Sequence, residues 1–163
     1  MKQVPKELGL DQLNKNSGSP DIGQVKKWET QWGIDLPDQY RAFLTSNGHT
    51  LFFFKDVHFT SIEKSSWTKR NGTEGFNLFY GLEKDSYDLK TIRERYRDNI
   101  PDELLPIADT PGGNQICIGV KKGETSYGKV YFWDHEARGP HENDLYLIAD
   151  SFDAFINSFA LDE

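Results

Sequence analysis

The sequence contains one cysteine, Cys117, in 163 residues. A single thiol excludes an internal disulfide framework and a metal site built from several thiolates. Long apolar runs are also missing, because segments such as residues 51–54 are far shorter than the ~20 residues that cross a bilayer. The first seven residues contain a proline and three charged side chains, which does not fit a secretory signal. We therefore expect a soluble, cytoplasmic protein with no membrane partner.

The motifs that usually carry catalysis are absent too. Gly112 and Gly113 are not followed by Gly-Lys-Ser/Thr, so they do not form a P-loop. The dinucleotide-binding fingerprint and the Gly-x-Ser-x-Gly elbow do not occur. Cys117 lies between Ile116 and Ile118, a setting that favours a buried structural thiol over a nucleophile. We expect neither enzymatic activity nor a cofactor.

Aromatic side chains and acidic charge are what the sequence has in abundance. Four Trp, seven Tyr and eleven Phe are far more than a disordered chain carries, and the length suits one domain. Residues 134–163 contain eight acidic residues and one basic residue, Arg138, which together equal the whole net charge of −7. Nucleic-acid binding is disfavoured, because phosphate contacts require clustered Lys and Arg. The acidic segment suits either a basic protein partner or a solvated face.

The densest polar cluster lies at the start of that segment. It consists of two histidines and four carboxylates: Asp134, His135, Glu136, His141, Glu142 and Asp144. Such a set could hold a divalent metal, but its spacing matches no helical His-Glu-x-x-His motif. Gly139 and Pro140 also place the second histidine on a loop. We expect no metal, and a small enzyme using this cluster is the least favoured interpretation.

The spacing of apolar residues predicts helices first, then strands, then a last helix. Ser19 and Pro20 predict the start of a helix that ends at Gly33. Further helices are expected after Pro37 and over residues 86–99. Strands are predicted at residues 51–59, 76–80, 115–120, 129–135 and 145–149. Ser151 or Asp150 is expected to cap a final helix with the buried stripe Phe152, Phe155, Ile156 and Phe159.

This order predicts an α+β fold with N-terminal helices, a central, mainly antiparallel sheet and a closing C-terminal helix. Residues 1–18 are interpreted as an arm or short helix, and residues 19–163 as a single domain. The three phenylalanines at 52–54 cannot all point inward from a strand, so either at least one faces outward or both faces of the strand are covered. Asp38 and the pair Asp102-Glu103 follow prolines, and we interpret them as residues at helix N-termini rather than as general acids or bases.

Three stretches of the chain, in this order, resemble one family. The first consists of Trp28-Glu29 to Gly33, Leu36-Pro37-Asp38, Tyr40, Phe43-Leu44 and Asn47-Gly48. The second consists of residues 100–109, Gly112-Gly113-Asn114 and the strand at 115–119. The third consists of residues 128–135 and the late helix after Ser151-Phe152. Taken together, residues 21–159 are similar to the SUKH superfamily, the Smi/Knr-like group. His49 stands where that family often has another glycine, so the exit from the second helix is expected to differ locally.

The resemblance implies a scaffold more than an activity. Bacterial members of the group are typically immunity proteins that bind and neutralise a cognate polymorphic or contact-dependent toxin, often a nuclease. Other members are regulatory interaction modules. The resemblance implies no catalytic residue and no cofactor. Our leading hypothesis is a non-enzymatic, immunity-type protein, and the alternative is an intracellular regulatory scaffold without a toxin partner.

The acidic segment supplies the candidate contacts with a basic toxin surface. Asp134, Glu136, Glu142 and Asp144 could mimic phosphates, and Trp133 or Tyr146 could serve as an aromatic anchor. These six residues are the predicted partner-binding site, and we predict no catalytic, cofactor-binding or metal-binding residue. The same acids also fit a solvated face, which stays open as the alternative.

Overall fold

The computed structural model describes residues 4–15, 20–137 and 143–162. The described helices are α1 (Gln24–Trp32), α2 (Asp38–Asn47), α3 (Leu89–Arg95) and α4 (Phe152–Asn157), preceded by a 3-10 turn at Lys6–Leu8. The described strands are β1 (Leu10–Gln12), β2 (Leu51–Phe53), β3 (Val57–Thr60), β4 (Thr73–Gly75), β5 (Leu78–Phe79), β6 (Leu104–Asp109), β7 (Gln115–Gly119), β8 (Val130–Trp133), β9 (Leu145–Ala149) and β10 (Ala160–Leu161). The predicted α+β class is confirmed.

Two antiparallel sheets form the centre of the fold. The larger has seven strands in the order β1-β2-β5-β6-β7-β8-β9, and the smaller has the order β10-β3-β4. The strands from β6 to β9 are consecutive neighbours, as expected for a meander of antiparallel strands. The prediction of one strand over residues 51–59 is wrong, because the chain turns after Phe53 and places β2 and β3 in different sheets.

The first long helix begins later than predicted. Residues 20–24 form tight turns, in which the Ile22 N–H donates to Pro20 O at 3.1 Å and the Gln24 N–H donates to Asp21 O at 3.3 Å. The predicted helical position of Pro20 is therefore wrong, and Ile22, which lies in the same turns, is 45% exposed. The predicted cap, Ser19, lies outside the described residues. The predicted end at Gly33 is confirmed by its left-handed backbone, with φ of 63°.

The second helix follows Pro37 as predicted and buries Tyr40 and Leu44. Asp38 lies in its first turn, but its carboxylate pairs with Arg41 at 2.9 Å instead of accepting a backbone N–H. Gly48 ends the helix with φ of 71°. At the next position, the His49 Nδ1 lies 2.8 Å from Oε1 of the buried Glu83, an anchor that glycine could not provide.

The closing helix carries the aromatic stripe into the core. Ser151 caps α4 by accepting a hydrogen bond from the Ala154 N–H at 3.1 Å, which confirms the predicted start. The Phe155 ring lies 5.3 Å from the Phe59 ring of the small sheet. The Phe159 ring lies 5.3 Å from the Phe53 ring of the large sheet. Phe159 was predicted as the last member of the helical stripe, but it lies two residues after the end of α4. The helix and the residues that follow it therefore join both sheets in one apolar cluster.

The third helix is shorter than predicted and does not extend over residues 86–99. Asp88 caps α3 through a 2.8 Å hydrogen bond from the Lys90 N–H, and the helix ends at Arg95. Asp102 and Glu103 follow in the turn that leads into β6, so their interpretation as helix N-terminal residues is wrong. Pro101 starts this turn, and its O accepts the Leu104 N–H at 3.0 Å.

The N-terminal residues add an edge strand beside the aromatic run. β1 pairs with β2, and the preceding Leu8 is buried in the core. Phe53 is buried and Phe52 is half-buried, whereas Phe54 is 66% exposed, which confirms that one of the three faces outward. The division of the chain at residue 19 stays a prediction.

Candidate functional site

The candidate site is built around the turn at residues 134–137, here called the acidic turn, which follows β8. Asp134 is buried, and its backbone N–H donates to Asp144 O at 2.8 Å. Its Oδ1 accepts the Glu136 N–H at 3.0 Å. The Asp134 carboxylate therefore shapes the turn, while the side chain of Glu136 is 64% exposed. Of these two predicted partner contacts, Glu136 presents its charge to solvent and Asp134 supports the backbone.

Asn114, in the turn before β7, fixes the histidine of the acidic turn. Its Oδ1 accepts the His135 N–H at 3.1 Å and lies 2.6 Å from the ring Nδ1. Because an amide oxygen can only accept, the Nδ1 must carry a proton and donate it to Asn114. Asn114 is fully buried, so this interaction anchors the acidic turn to the large sheet.

The predicted aromatic anchor Trp133 faces inward. It is 7% exposed and packs in a small cluster with Ile100, Leu104 and Cys117. The Tyr96 ring contacts its indole edge-on at a centroid distance of 5.5 Å. Burial also raises the pKa of the Cys117 thiol, as expected for the predicted structural cysteine. Trp133 thus offers little surface to a partner and holds the end of β8 in place.

The other predicted contacts lie on and before β9. Asp144 is partly exposed, and Tyr146 is half-buried with its hydroxyl donating to Asn143 O at 3.1 Å. The Tyr146 ring lies 6.5 Å from that of Phe132 on the neighbouring strand. Glu142 and the second histidine, His141, lie outside the described residues. Within the described ranges, no three His, Cys, Asp or Glu side chains are placed to hold a metal ion.

An exposed tryptophan beside the acidic turn was not predicted. Trp67 is 36% exposed and lies in the segment between β3 and β4. Its ring centroid is 6.4 Å from that of His135, and its indole also lies against Gly112. The sequence did carry a signal, because Trp67 stands alone in a polar stretch with no apolar periodicity to account for it.

A further carboxylate reaches this surface from the same segment. Glu63 is exposed, and its N–H donates to Leu147 O at 2.8 Å along the outer edge of β9. Its Oε2 accepts the Leu147 N–H at 3.1 Å, so the side chain covers part of an otherwise open strand edge. We refer to Glu63, Trp67, Glu136, Asp144 and Tyr146 as the acidic surface.

Comparison with known proteins decides the family of this scaffold. A family model described as the SMI1 / KNR4 family (SUKH-1) matches residues 20–158. The chain belongs to this family. The match spans α1 to α4 of the SUKH-1 domain and includes every residue of the acidic surface.

A SUKH-1 relative is found in Bacillus subtilis (strain 168). The chain is 35% identical over 144 residues to the SPbeta prophage-derived uncharacterized protein YokK. The similarity covers 83% of this chain and 72% of that protein. Among the described residues of this SUKH-1 chain, no helix has the length and apolar character needed to cross a membrane.

Proposed function

We propose that this SUKH-1 protein is a non-enzymatic, cytoplasmic immunity protein that binds and neutralises a toxin domain with a basic surface. The observation that carries the proposal is the acidic surface. Glu63 and Glu136 are exposed there, Asp144 is partly exposed, and the exposed Trp67 ring lies 6.4 Å from the ring of His135 in the acidic turn. Carboxylates accelerate encounter with a basic partner, and an exposed aromatic ring supplies contact area.

The rim is held firmly enough to act as a preformed surface. Asn114 and Asp134 are buried, and their side-chain oxygens accept hydrogen bonds from backbone N–H groups of the acidic turn. Glu63 is fixed to β9 through both its backbone and its side chain. A surface that is ordered before binding loses less conformational entropy when a partner docks.

Under this proposal, some of the predicted site residues contact the partner and others position those contacts. Glu136, Asp144 and Tyr146 would touch the partner, together with Glu63 and Trp67. Trp133 and Asp134 would position them from within the fold, because both are buried. A contact by Glu142 stays a prediction that lies outside the described residues.

Co-expression with the product of a neighbouring toxin gene tests the proposal. We expect restored growth of cells that produce the toxin, and direct binding that is faster at low than at high salt. The catalytic activity of the toxin would be measured with and without the immunity protein. Failure both to bind the toxin and to protect the cells would overturn the proposal. Binding to a neighbouring gene product without protection would favour the regulatory scaffold instead.

A further inference from the structure

The face of the large sheet that carries Trp133 is covered only in part. Along β8 and β9, Trp133 pairs with Leu145 and Tyr131 pairs with Leu147, so these side chains share one face. Ile100 packs on Trp133, which is buried. Tyr131, Leu145 and Leu147 are only half-buried, although β9 is the outermost strand of the sheet. We call these three residues the apolar patch.

Carboxylates surround the apolar patch. Burial raises the pKa of the Tyr131 hydroxyl. The charges of Glu103, Glu63 and Asp150 raise this pKa further, so these three acids lie within electrostatic reach of the patch. The Glu63 carboxylate also accepts the Leu147 N–H at 3.1 Å, which fixes it at the edge of the patch. An apolar surface with this rim attracts basic groups and repels acidic ones.

The backbone beside the apolar patch is already paired. The Leu147 N–H donates to the Glu63 carboxylate, and Leu147 O accepts the Glu63 N–H at 2.8 Å. The next carbonyl, Ile148 O, accepts the Ile62 N–H at 3.0 Å. A partner therefore cannot add a strand to the sheet at this point, and it has to dock through side chains.

The rim also decides between a second copy of the chain and a different protein. Lys129 lies two residues before Tyr131 and is half-buried, so it offsets only part of the charge of the three acids. A two-fold contact between copies would bring the same carboxylates together, which is unfavourable. The charge fits a basic partner instead.

We infer that the apolar patch receives a basic amphipathic helix of the protein partner, with apolar side chains on the patch and lysines or arginines opposite the surrounding carboxylates. Leu145 and Leu147 are roughly 6–7 Å apart along β9, close to the spacing of about 6 Å between positions i and i+4 of a helix. An amphipathic helix binds through such positions. The inference rests on the proposed function only for the identity of the partner, the toxin domain.

The first test needs no toxin. A short leucine–lysine peptide, whose leucines recur at helical spacing, is titrated into the full chain and followed by NMR. We expect saturable shifts of the Tyr131, Leu145 and Leu147 amides. A scrambled peptide of the same composition keeps the charge without an apolar face, and a leucine–glutamate peptide keeps the apolar face with the opposite charge. Neither should produce saturable shifts of these amides.

Two matched variants assign the binding to the apolar patch. Leu147→Ser removes an apolar side chain and should weaken binding of the leucine–lysine peptide about tenfold. Leu13→Ser removes a leucine that is 42% exposed just after β1, at the opposite edge of the same sheet, and should leave binding unchanged. If Leu147→Ser does not fold, Tyr131→Thr replaces it and must also weaken binding.

No saturable shift with the leucine–lysine peptide, equal shifts with either control peptide, or full binding by a folded patch variant would overturn the inference. With the toxin domain in hand, Leu147→Ser should lower its affinity about tenfold, chiefly through faster dissociation. An unchanged affinity would also overturn the inference, because the toxin would then dock elsewhere, while the immunity proposal stands. If the unaltered protein binds no toxin, the proposed function fails, and the peptide titration still decides the chemistry of the patch.

Discussion

The indole ring of Trp67 lies against the backbone of Gly112, 45 residues further along the chain. A Cβ atom at Gly112 would come within 3.0 Å of the ring carbon Cζ3 and 3.2 Å of Cη2. Gly112 also has φ of 102°, a backbone conformation that side chains other than glycine rarely adopt. The glycine in the β6–β7 turn therefore does two things: it allows the turn, and it gives the exposed indole a flat surface to rest on.

Replacing this glycine should displace the tryptophan. We expect Gly112→Ala to lower the free energy of unfolding by about 1–2 kcal/mol through backbone strain. The added methyl group should also push the indole away from its position beside His135. The Trp67 indole N–H resonance should shift, and binding of a partner should weaken.

Gly123→Ala is the matched control for the strain alone. Gly123 has φ of 90° and nothing within 4 Å of a Cβ placed on it. It should lose a similar amount of stability without moving the Trp67 resonance. If both variants leave that resonance unchanged, Gly112 does not position the indole.

A second prediction concerns the joint between the first two helices. Glu29 Oε1 accepts the Leu36 N–H at 2.7 Å and also pairs with the guanidinium of Arg41. Glu29→Ala removes both interactions and leaves a buried amide without a partner, so we expect a loss of about 2–3 kcal/mol in the free energy of unfolding. Glu29→Gln keeps a carbonyl oxygen for Leu36 and should cost only about 1 kcal/mol.

Chemical denaturation with a matched control separates these effects. Asp38 also pairs with Arg41, at 2.9 Å, but its side chain is fully exposed. Asp38→Ala should therefore lower the denaturation midpoint much less than Glu29→Ala does. Equal losses for the alanine and glutamine variants of Glu29 would mean that the ion pair, and not the Leu36 hydrogen bond, stabilises the joint.

The local parts of the fold follow from the sequence because their causes are local. The Ser151 hydroxyl caps α4 and Gly33 ends α1, both as predicted, and Gly48 ends α2 through the same left-handed backbone. The start of α1 was misplaced because a proline and a preceding serine also suit a turn. At residues 20–24 the chain forms turns, with Asp21 Oδ1 accepting the Gly23 N–H at 3.1 Å.

The candidate site was harder to predict because it depends on contacts between distant segments. The alternation along β8 correctly separates Phe132 from Trp133, but it cannot tell whether the second face is covered. Here Tyr96 and Ile100 cover it, so Trp133 is buried. Trp67 reaches the acidic turn only through long-range packing on Gly112 and His135, which no spacing in the sequence records.

A pH-dependent stability is expected from Asp109 at the end of β6. Burial raises its pKa to about 6, although the Asn77 amide donates to its Oδ1 at 2.9 Å. The pKa in the folded protein is thus above the unfolded value, so folding favours the protonated form. The stability linked to this group is fully present below pH 4 and is lost as the pH rises through about 6.

Asp109→Asn should remove this dependence while keeping an oxygen that accepts from Asn77. At pH 7.5 we expect the variant to be more stable by about 1–2 kcal/mol, a value reduced for partial solvent access. The difference should disappear near pH 4, as measured by thermal denaturation at a series of pH values. Asp102→Asn, at an exposed position before β6, is the control. A pH-independent difference would mean that the substitution acts through packing.

Charge reversal on the acidic surface tests how the partner is recognised. The double variant Glu136→Lys/Asp144→Lys reverses one exposed and one partly exposed charge without changing Asp134, which supports the turn. We expect the association rate with a basic toxin to fall about tenfold or more at low salt, while the dissociation rate changes little. The difference from the unaltered protein should shrink as salt is added, because exposed charges are screened.

Glu124→Lys reverses an exposed charge at the opposite end of the β7–β8 hairpin and should leave the rates nearly unchanged. Stopped-flow kinetics at several salt concentrations measures both rates. Identical kinetics for the double variant and the unaltered protein would place the interface on another face, since a basic partner docking on this rim must sense four units of charge.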